Sequence, residues 1–265
     1  LREKYPGQFA LTSLPALADE ADRLARERQL NDAEALYKRL LDSVTDADQR
    51  LRFLTKLAAM RGRNDAIPVL EQIARDFPDS SEAPKALYQI GQTLWNRHEN
   101  GQAFEYFKQL LQRYPNSGFA DRANFASADI HEYFGRKAEA IQLYTTVQKQ
   151  FPGSNVRDDA VWRLAWLHYR GGDWQAALTT FKALAAQSRG GNFGTAAIYW
   201  QARSAEKLGE VENAKQIYRQ IFNGGEESYY QTLSQRALER LGNPVQEAKL
   251  SKPSAATEAD PAIGG

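Results

Sequence analysis

Phe77-Pro78-Asp79-Ser80 is the first of three tetrads that decide the fold, each an aromatic residue followed by proline, a variable residue and serine. The other two are Tyr114-Pro115-Asn116-Ser117 and Phe151-Pro152-Gly153-Ser154, and successive tetrads lie 37 residues apart. Alanines keep the same spacing, and four residues after each comes a large apolar or aromatic residue. The alanines are Ala66, Ala103, Ala140, Ala177 and Ala214, and the larger residues are Leu70, Phe107, Tyr144, Phe181 and Tyr218. So regular a recurrence indicates an internal repeat, which determines the whole architecture.

The segments between these marks have the pattern of amphipathic helices. Apolar residues recur at three- and four-residue spacing, as in Ala103, Phe107, Leu110 and Leu111, and this spacing is typical of a helix with one buried face. A small residue such as alanine lets two helices approach closely. The large residue one turn later is expected to fill the space beside it.

The turns carry their own signals. Glycine recurs at Gly135, Gly172 and Gly209, which suits the left-handed residue that closes a helix. Proline ends the second helix of each unit, and we expect the Asp, Asn or Ser that follows it to cap the next helix. Each unit is therefore predicted to be a helix, a short turn, a second helix and a stop.

These marks resemble the tetratricopeptide repeat, a helical hairpin that stacks into an α-solenoid. Gly91 matches the small first-helix residue of that family, and Ala103 matches its small second-helix residue. Phe107 stands at its aromatic position and Pro115 at its terminal proline. The usual period is about 34 residues, so each unit here has about three extra residues in a helix end or loop.

The repeat signal covers residues 14–242 and predicts an all-α solenoid of about six helical hairpins. Residues 1–13 form a lead-in, and residues 229–242 would form a capping helix, because a terminal repeat must cover the apolar face of its neighbour. Residues 243–265 are rich in Ala, Ser, Pro and Glu and lack aromatic residues. That composition predicts a flexible linker or tail.

The composition excludes several classes of function. A formal net charge of +1 gives no bulk attraction for nucleic acid or an anionic membrane. The absence of cysteine removes disulfides, thiolate catalysis and cysteine-based metal sites. No apolar run approaches the roughly 20 residues needed to cross a bilayer, so no transmembrane segment is expected. The chain begins with Leu1, which is compatible with a removed signal peptide.

Catalytic and cofactor-binding motifs are not visible. The sequence has no Gly-X-Ser-X-Gly run, no phosphate-binding loop and no Gly-X-Gly-X-X-Gly, and residues 190–194 are predicted to be a loop between repeats. His131 and His168 lie one period apart and could face each other to bind a metal. We favour a shared packing role, because no third ligand recurs with them and structural zinc takes four. We therefore expect no cofactor, no metal and no catalysis from this chain.

Aromatic residues on the predicted first helices are candidates for a binding groove. Four of them lie 37 residues apart, namely Tyr88, Phe125, Trp162 and Tyr199. We favour packing between adjacent first helices for these four rings, with the groove as the alternative. The candidate residues of a concave groove are Trp95, Arg122, Tyr133, Trp166, Tyr169, Arg170 and Arg203. Rings edged by arginine suit either the flat faces of sugars or an extended peptide.

The last third of the chain carries a second resemblance. Its stretches are Trp162-Arg163-Leu164-Ala165-Trp166-Leu167-His168-Tyr169, Gly172-Asp173-Trp174, Tyr229-Tyr230 and Leu241-Gly242. This order resembles the helical-repeat region of bacterial soluble lytic transglycosylases. In that family a Tyr-Tyr … Leu-Gly helix ends the superhelix before the catalytic domain.

The resemblance implies a periplasmic location and work on peptidoglycan, but it does not imply catalysis by this chain. The catalytic domain of the family has a Glu-Ser motif followed by a Gly-Leu-Met-Gln stretch. Glu227-Ser228 is the only Glu-Ser pair here, and the only methionine, Met60, precedes it. The implied role is a superhelical region that positions a glycan strand or docks its own catalytic domain. The alternatives are a periplasmic adaptor for protein partners in cell-envelope assembly and, third, a self-standing enzyme.

Overall fold

A computed structural model describes residues 13–187, 193–224 and 228–242, and all regular secondary structure within them is α-helical. In chain order the helices form six pairs joined by short turns, followed by a single helix. They are α1 (Leu14–Arg26), α2 (Leu30–Ser43), α3 (Ala47–Met60), α4 (Ile67–Asp76), α5 (Glu82–Asn96), α6 (Asn100–Arg113), α7 (Ala120–Tyr133), α8 (Lys137–Gln150), α9 (Arg157–Arg170), α10 (Trp174–Gln187), α11 (Gly194–Lys207), α12 (Val211–Phe222) and α13 (Tyr229–Arg240). The predicted class, an all-α solenoid of tetratricopeptide-like hairpins with a terminal helix, is confirmed.

The predicted repeat region, residues 14–242, covers nearly the same span as the residues that the structure describes. Ser13 caps α1, its Oγ accepting a hydrogen bond from the N–H of Ala16. The rest of the predicted lead-in and the predicted tail, 243–265, lie outside the described residues. Of the predicted loop at 190–194, Gly194 instead begins α11, and residues 190–192 lie outside the described ranges. None of the described helices is long and apolar enough to cross a bilayer.

The alanine positions mark where helices pack most closely. All the periodic alanines except Ala66 have no exposed surface, and the aromatic residues four positions later are also fully buried. Space is tightest at Gly91 in α5, where an added Cβ would lie 2.6 Å from Cε1 of Phe107 in α6. Helices that approach this closely leave room only for small side chains. The prediction that the recurring small residues are packing residues is therefore confirmed.

The turn inside a hairpin is closed by a residue in the left-handed conformation. After α7, Gly135 has a φ of +72°, and its N–H donates to the carbonyl oxygen of Glu132 at 2.9 Å. The N–H of Arg136 donates to the carbonyl oxygen of His131 at 2.8 Å. These two bonds form a Schellman motif, which satisfies carbonyl groups that the end of the helix leaves without partners.

The same turn recurs along the chain with different residues at the left-handed position. Gly172 and Gly209 adopt φ values of +80° and +79°, which confirms the prediction for the recurring glycine. Arg28 after α1 and His98 after α5 adopt φ values of +60° and +62° in equivalent turns. A residue with a Cβ is strained in this conformation, so two hairpins keep the turn without the residue that suits it best.

Each aromatic-Pro-X-Ser tetrad forms a tight turn between hairpins. In all three the serine N–H donates to the carbonyl oxygen of the aromatic residue, at 3.0–3.1 Å. Proline at the second position of such a turn has its φ already fixed near the required value. The expectation that polar residues after the proline cap the next helix is wrong for α5 and α7. Their first turns are preceded by Ser81 and Phe119, neither of which makes a side-chain cap. Before α5, Ser80 Oγ bonds within its own turn instead.

The described residues divide into two compact units, one ending at Leu167 and the other beginning at His168. The first unit contains three successive clusters of buried apolar residues, formed by helices α1–α3, α3–α7 and α7–α9. In the second unit, Ala237 and Leu238 of α13 are buried against residues of α11 and α12. The predicted capping role of the terminal helix is therefore confirmed.

Candidate binding surfaces

A cavity of about 330 Å³ lies between α3, α4 and α5 in the first unit. Its floor is apolar and includes Leu70 and Ile73 from the core. Its walls include Gln89 and Gln92, two exposed polar residues of α5. Because α3 and α5 are the first helices of adjacent hairpins, the cavity lies on the first-helix surface that the sequence assigns to ligand binding. None of the seven predicted groove residues lines it.

Cationic side chains surround this cavity. Arg61 pairs with Glu34 at 2.5 Å, and Lys85 pairs with Glu82 at 3.0 Å. Arg63 is exposed at the same place. Glu82 is the only acidic residue of the lining, so the cavity offers more donors than carboxylates and favours a ligand rich in carboxylate or carbonyl oxygens.

The predicted aromatic groove residues of the first unit differ in exposure. Trp95 is half-buried and packs against the α3–α7 cluster. Trp166 lies edge-on to Trp162 with ring centroids 6.1 Å apart. Tyr133 is 74% exposed and lies edge-on to Phe134 at 5.2 Å. Tyr133 therefore has the open ring face that stacking on a ligand requires, whereas much of Trp95 and Trp166 is committed to packing.

Arg122 is held by aromatic neighbours in the same unit. Its guanidinium carbon lies 5.3 Å from the ring centroid of Tyr88 and 5.1 Å from that of Phe119. Its Nη2 donates to the carbonyl oxygen of Gly118 at 3.1 Å. This placement makes Arg122 a cation stacked on rings, a geometry that fixes the side chain.

The three predicted residues of the second unit are Tyr169, Arg170 and Arg203. Tyr169 lies edge-on to Trp200, with ring centroids 5.3 Å apart. Arg203 is half-buried and lies close enough to Tyr199 to affect its pKa. Burial raises the pKa of Tyr199 above its ordinary value, and Arg203 opposes that rise. Tyr169 and Arg203 thus belong to one aromatic cluster, while Arg170 is exposed at the end of α9.

The four periodic rings lie in the core or pack against it. Tyr88 packs on Phe107 at 5.9 Å, and Phe125 packs on Tyr144 at 5.8 Å. Trp162 and Tyr199 are buried. The rings are packing residues, but Tyr88 and Phe125 pack on the second helix of their own hairpin and not, as predicted, between adjacent first helices. The groove role of the seven candidates stays a prediction.

A recurrent tyrosine–carboxylate pair has no counterpart in the sequence predictions. The hydroxyl of Tyr37 donates to Asp22, that of Tyr144 donates to Asp129, and that of Tyr218 donates to Glu206 at 3.0 Å. In each case the tyrosine is at the aromatic position of the second helix, and the acid is on the first helix of the same hairpin.

A cation of the following first helix stands 34 residues after each of these acids. Lys56 Nζ donates to Asp22 at 2.5 Å, and Arg240 donates to both carboxylate oxygens of Glu206 at 2.6 and 2.8 Å. Arg163 acts on Asp129 electrostatically. The sequence signal of this arrangement is a fixed spacing. The tyrosine follows the acid by twelve or fifteen residues, and the base follows it by 34.

Two of these acids have opposite pKa shifts. Burial raises the pKa of Asp129 above its ordinary value of 3.8, and the nearby Glu132 and Asp159 add to the rise despite the hydrogen bond from Tyr144. Burial also acts to raise the pKa of Glu206, but hydrogen bonds from Arg240 and Tyr218 outweigh it and hold the value below 4.5. Glu206 is therefore a firmly ionised partner, whereas Asp129 takes up a proton more easily than an exposed aspartate.

The two periodic histidines have different surroundings. His131 is buried, with its ring edge-on to Phe104 at 4.8 Å. His168 is half-buried, with Nδ1 3.6 Å from a carboxylate oxygen of Asp173. Within the described ranges, no group of three or more histidine, aspartate or glutamate side chains is placed to hold a metal ion. Glu227 lies outside those ranges.

Family comparisons detect the same repeat. A family model described as tetratricopeptide repeat matches residues 51–118, 88–155 and 125–192. These matches start 37 residues apart, which is the period of the tetrads. A second tetratricopeptide repeat model matches residues 196–223. No curated protein matches the sequence.

Solved structures share the fold at low sequence identity. A tetratricopeptide repeat protein from Parabacteroides merdae matches with a TM-score of 0.50 at 14% identity, covering 86% of this chain and 89% of that one. BtubC from P. vanneervenii matches with a TM-score of 0.52 at 12% identity, covering 94% and 100%. The apo form of RapI matches with a TM-score of 0.55 at 11% identity, covering 86% and 74%. At these identities the likeness extends to the fold alone.

Proposed function

This chain belongs to the tetratricopeptide repeat family, and we propose that it is the non-catalytic superhelical portion of a periplasmic peptidoglycan lytic transglycosylase. In that role it positions a glycan strand or docks the catalytic domain. A repeat scaffold suits such work because each hairpin contacts mainly its neighbours, so that side chains of successive first helices are presented side by side.

The observation that carries a binding role is the cavity between α3, α4 and α5. It combines an apolar floor with polar walls, the arrangement that ligand sites usually have. Gln89 and Gln92 offer amide donors and acceptors, and Lys85 and Arg63 offer cationic donors. Glycan hydroxyls and peptide carbonyls both match this set of groups.

The end of the second unit supports the narrower proposal of a transglycosylase region. The Tyr229-Tyr230 pair begins α13, and Tyr230 packs on Tyr199 with ring centroids 5.5 Å apart. At the other end of α13, Arg240 donates two hydrogen bonds to the carboxylate of Glu206. In the family that this ending resembles, a helix of the same kind closes the superhelix before the catalytic domain.

The test is a titration of the chain with soluble peptidoglycan glycan strands. We expect Gln92→Ala and Arg63→Ala each to weaken binding by about threefold to tenfold, which corresponds to the loss of one hydrogen bond to the ligand. Gln102→Ala is the matched control, because Gln102 is exposed on α6 and does not line the cavity. Glycan binding that is absent, or equal in all three variants and the parent, contradicts the proposal. Osmotic-shock fractionation of the native organism tests the periplasmic location.

A periplasmic adaptor for protein partners is the second candidate, and the cations around the cavity favour it. Arg61 and Lys85 are paired with Glu34 and Glu82, and the exposed Arg63 adds a further positive charge that suits an acidic peptide. Titration with an Asp/Glu-rich peptide at low and high salt separates the two proposals. Salt-sensitive binding of the peptide, without binding of glycan strands, selects the adaptor.

A further inference from the structure

A second cavity of about 330 Å³ lies between α6, α7 and α8 in the first unit. Its apolar lining consists of Phe104, Leu111 and Leu143. Lys108 and Glu139 stand at its exposed side with opposite charges, so the entrance has no strong preference for either sign of ligand charge. α6 and α8 are the second helices of adjacent hairpins, whereas the cavity of the proposed function lies between the first helices α3 and α5. The two sites are therefore separate.

Two buried polar side chains line this cavity without using their hydrogen-bonding capacity. Ser127 is 1% exposed and His131 is 9% exposed. Ser127 Oγ and His131 Nδ1 have no hydrogen-bond partner among the residues that the structure describes. Buried polar atoms in folded proteins are nearly always paired, because an unpaired one loses its bond to water and gains nothing. Both atoms have almost no accessible surface, so a ligand in the cavity reaches them only when the side chains over them move aside.

The repeat itself shows that the fold does not require polar residues here. One period earlier, α5 has Ile90 and Leu94 at the positions of Ser127 and His131, and both are buried in the core. One period later, α9 has the buried Leu164 at the position of Ser127. The hydroxyl at this position is therefore specific to α7, whereas the imidazole recurs in α9 as the half-buried His168.

We propose that this cavity binds a tyrosine side chain of a protein partner, with the phenol ring between Phe104, Leu111 and Leu143 and the hydroxyl between Ser127 and His131. The tyrosine hydroxyl donates to His131 Nδ1 and accepts from the Ser127 hydroxyl, so that both buried atoms gain a partner. A neutral ligand with an apolar body and one hydroxyl matches the walls, the two polar atoms and the balanced charges at the entrance.

The state of His131 suits this geometry. Burial lowers the pKa of His131, and Arg136 acts in the same direction, while Glu139 opposes them. A neutral imidazole leaves one ring nitrogen free to accept a hydrogen bond. The edge-on contact of Phe104 with the ring, at 4.8 Å and 81°, limits the rotation of the imidazole.

The proposal is tested with N-acetyl-tyrosinamide and N-acetyl-phenylalaninamide, which differ only in the hydroxyl. Binding to the whole chain is followed through the side-chain NMR signals of His131. We expect the tyrosine compound to bind about tenfold more tightly, which corresponds to one hydrogen bond to a buried group. In Ser127→Ala, which adds no volume, this preference should fall at least about threefold. Ser204→Ala is the matched control, because Ser204 is equally buried but its hydroxyl already bonds to Trp200.

The double variant Ser127→Ile/His131→Leu copies the residues of α5 into α7. We expect it to fold, to unfold at a higher urea concentration than the parent and to lose binding of N-acetyl-tyrosinamide, measured by tyrosine-compound line broadening. Equal affinity of the two amides for the parent overturns the proposal. So does undiminished binding by the double variant, or a hydroxyl preference that Ser127→Ala leaves unchanged. Because the glycan titration uses another cavity, its failure leaves this result standing.

Discussion

Tyr144 of the α7–α8 hairpin and Tyr218 of the α11–α12 hairpin occupy the same repeat position, and neither has exposed surface. Both donate a hydrogen bond to a carboxylate on the preceding first helix, Asp129 in one case and Glu206 in the other. Yet the pKa of Asp129 is raised and that of Glu206 is lowered. The repeat thus copies backbone geometry and burial from hairpin to hairpin, but it does not copy the electrostatic environment.

The cause lies in the neighbours of each carboxylate. Glu206 receives two hydrogen bonds from Arg240, which compensate for the loss of water. Asp129 has the acidic side chains of Glu132 and Asp159 nearby, and its cation, Arg163, acts on it electrostatically. A paired carboxylate strengthens a fold, whereas a buried carboxylate among acids weakens it.

The largest expected effect tests what the two hairpins share. Ala140→Trp and Ala214→Trp should each lower the free energy of unfolding by at least about 3 kcal/mol, because a large ring cannot fit where helices pack closely. Urea titration followed by circular dichroism measures the loss. Ala138→Trp is the control, since Ala138 is exposed on α8. If Ala140→Trp or Ala214→Trp is as stable as this control, the alanine is not a packing residue in that hairpin.

Exchanging each carboxylate for an amide tests the difference in electrostatic environment between the two hairpins. Glu206→Gln should lower the free energy of unfolding by about 1–2 kcal/mol, discounted because Arg240 is half exposed. Asp129→Asn should leave it unchanged or raise it by about 0.5 kcal/mol, because the amide oxygen still accepts from Tyr144 without a buried charge. Urea titrations at pH 7 measure both. The same sign and size of change in the two variants contradicts the comparison.

The shared part of this comparison could be predicted from the sequence, and the physical reason is that it depends on size and spacing. A residue that must be small, such as Ala140, or that must adopt positive φ, such as Gly135, is restricted by local geometry that repeats every hairpin. The helix pairs, the packing role of the alanines and the glycine turns therefore followed from residue type and period alone.

The electrostatic part depends on distances across helices and could not be predicted in the same way. Arg163 and Arg240 stand at the same spacing from their acids, yet only Arg240 reaches its partner with two hydrogen bonds. The candidate groove shows the same limit, because first-helix periodicity cannot tell the exposed Tyr133 from the packed Trp95. The unpaired atoms of Ser127 and His131 likewise required coordinates.

A smaller effect concerns the turn inside the α7–α8 hairpin and the equivalent turn of the preceding α5–α6 hairpin, which have different residues at the left-handed position. His98→Gly should raise the free energy of unfolding by about 1 kcal/mol, because glycine adopts the left-handed conformation without a Cβ clash. Gly135→Ala should lower it by about 1 kcal/mol for the converse reason. An added Cβ at Gly135 meets no atom within 4 Å, so backbone strain is the only expected cost. Thermal unfolding of both variants measures the two changes in stability. Changes of the same sign would contradict the interpretation that both hairpins use the same turn.

The smallest expected effect is the pH dependence of the two carboxylates, and its sign differs between them. The folded pKa of Asp129 is raised, so as pH falls the folded chain binds this proton before the unfolded chain does, and the wild type gains stability relative to Asp129→Asn. The folded pKa of Glu206 is lowered, so its contribution to stability is present above the ordinary value of 4.5 and is lost as pH falls through the folded pKa.

Urea titrations of the wild type and both variants between about pH 7 and pH 4 measure these trends. As pH falls, the stability of the wild type should rise relative to Asp129→Asn and fall relative to Glu206→Gln, by less than about 1 kcal/mol for each group. Asp42→Asn, at an exposed position of α2, provides the baseline. Two differences that drift in the same direction would show that the hairpins share their electrostatics as well as their geometry.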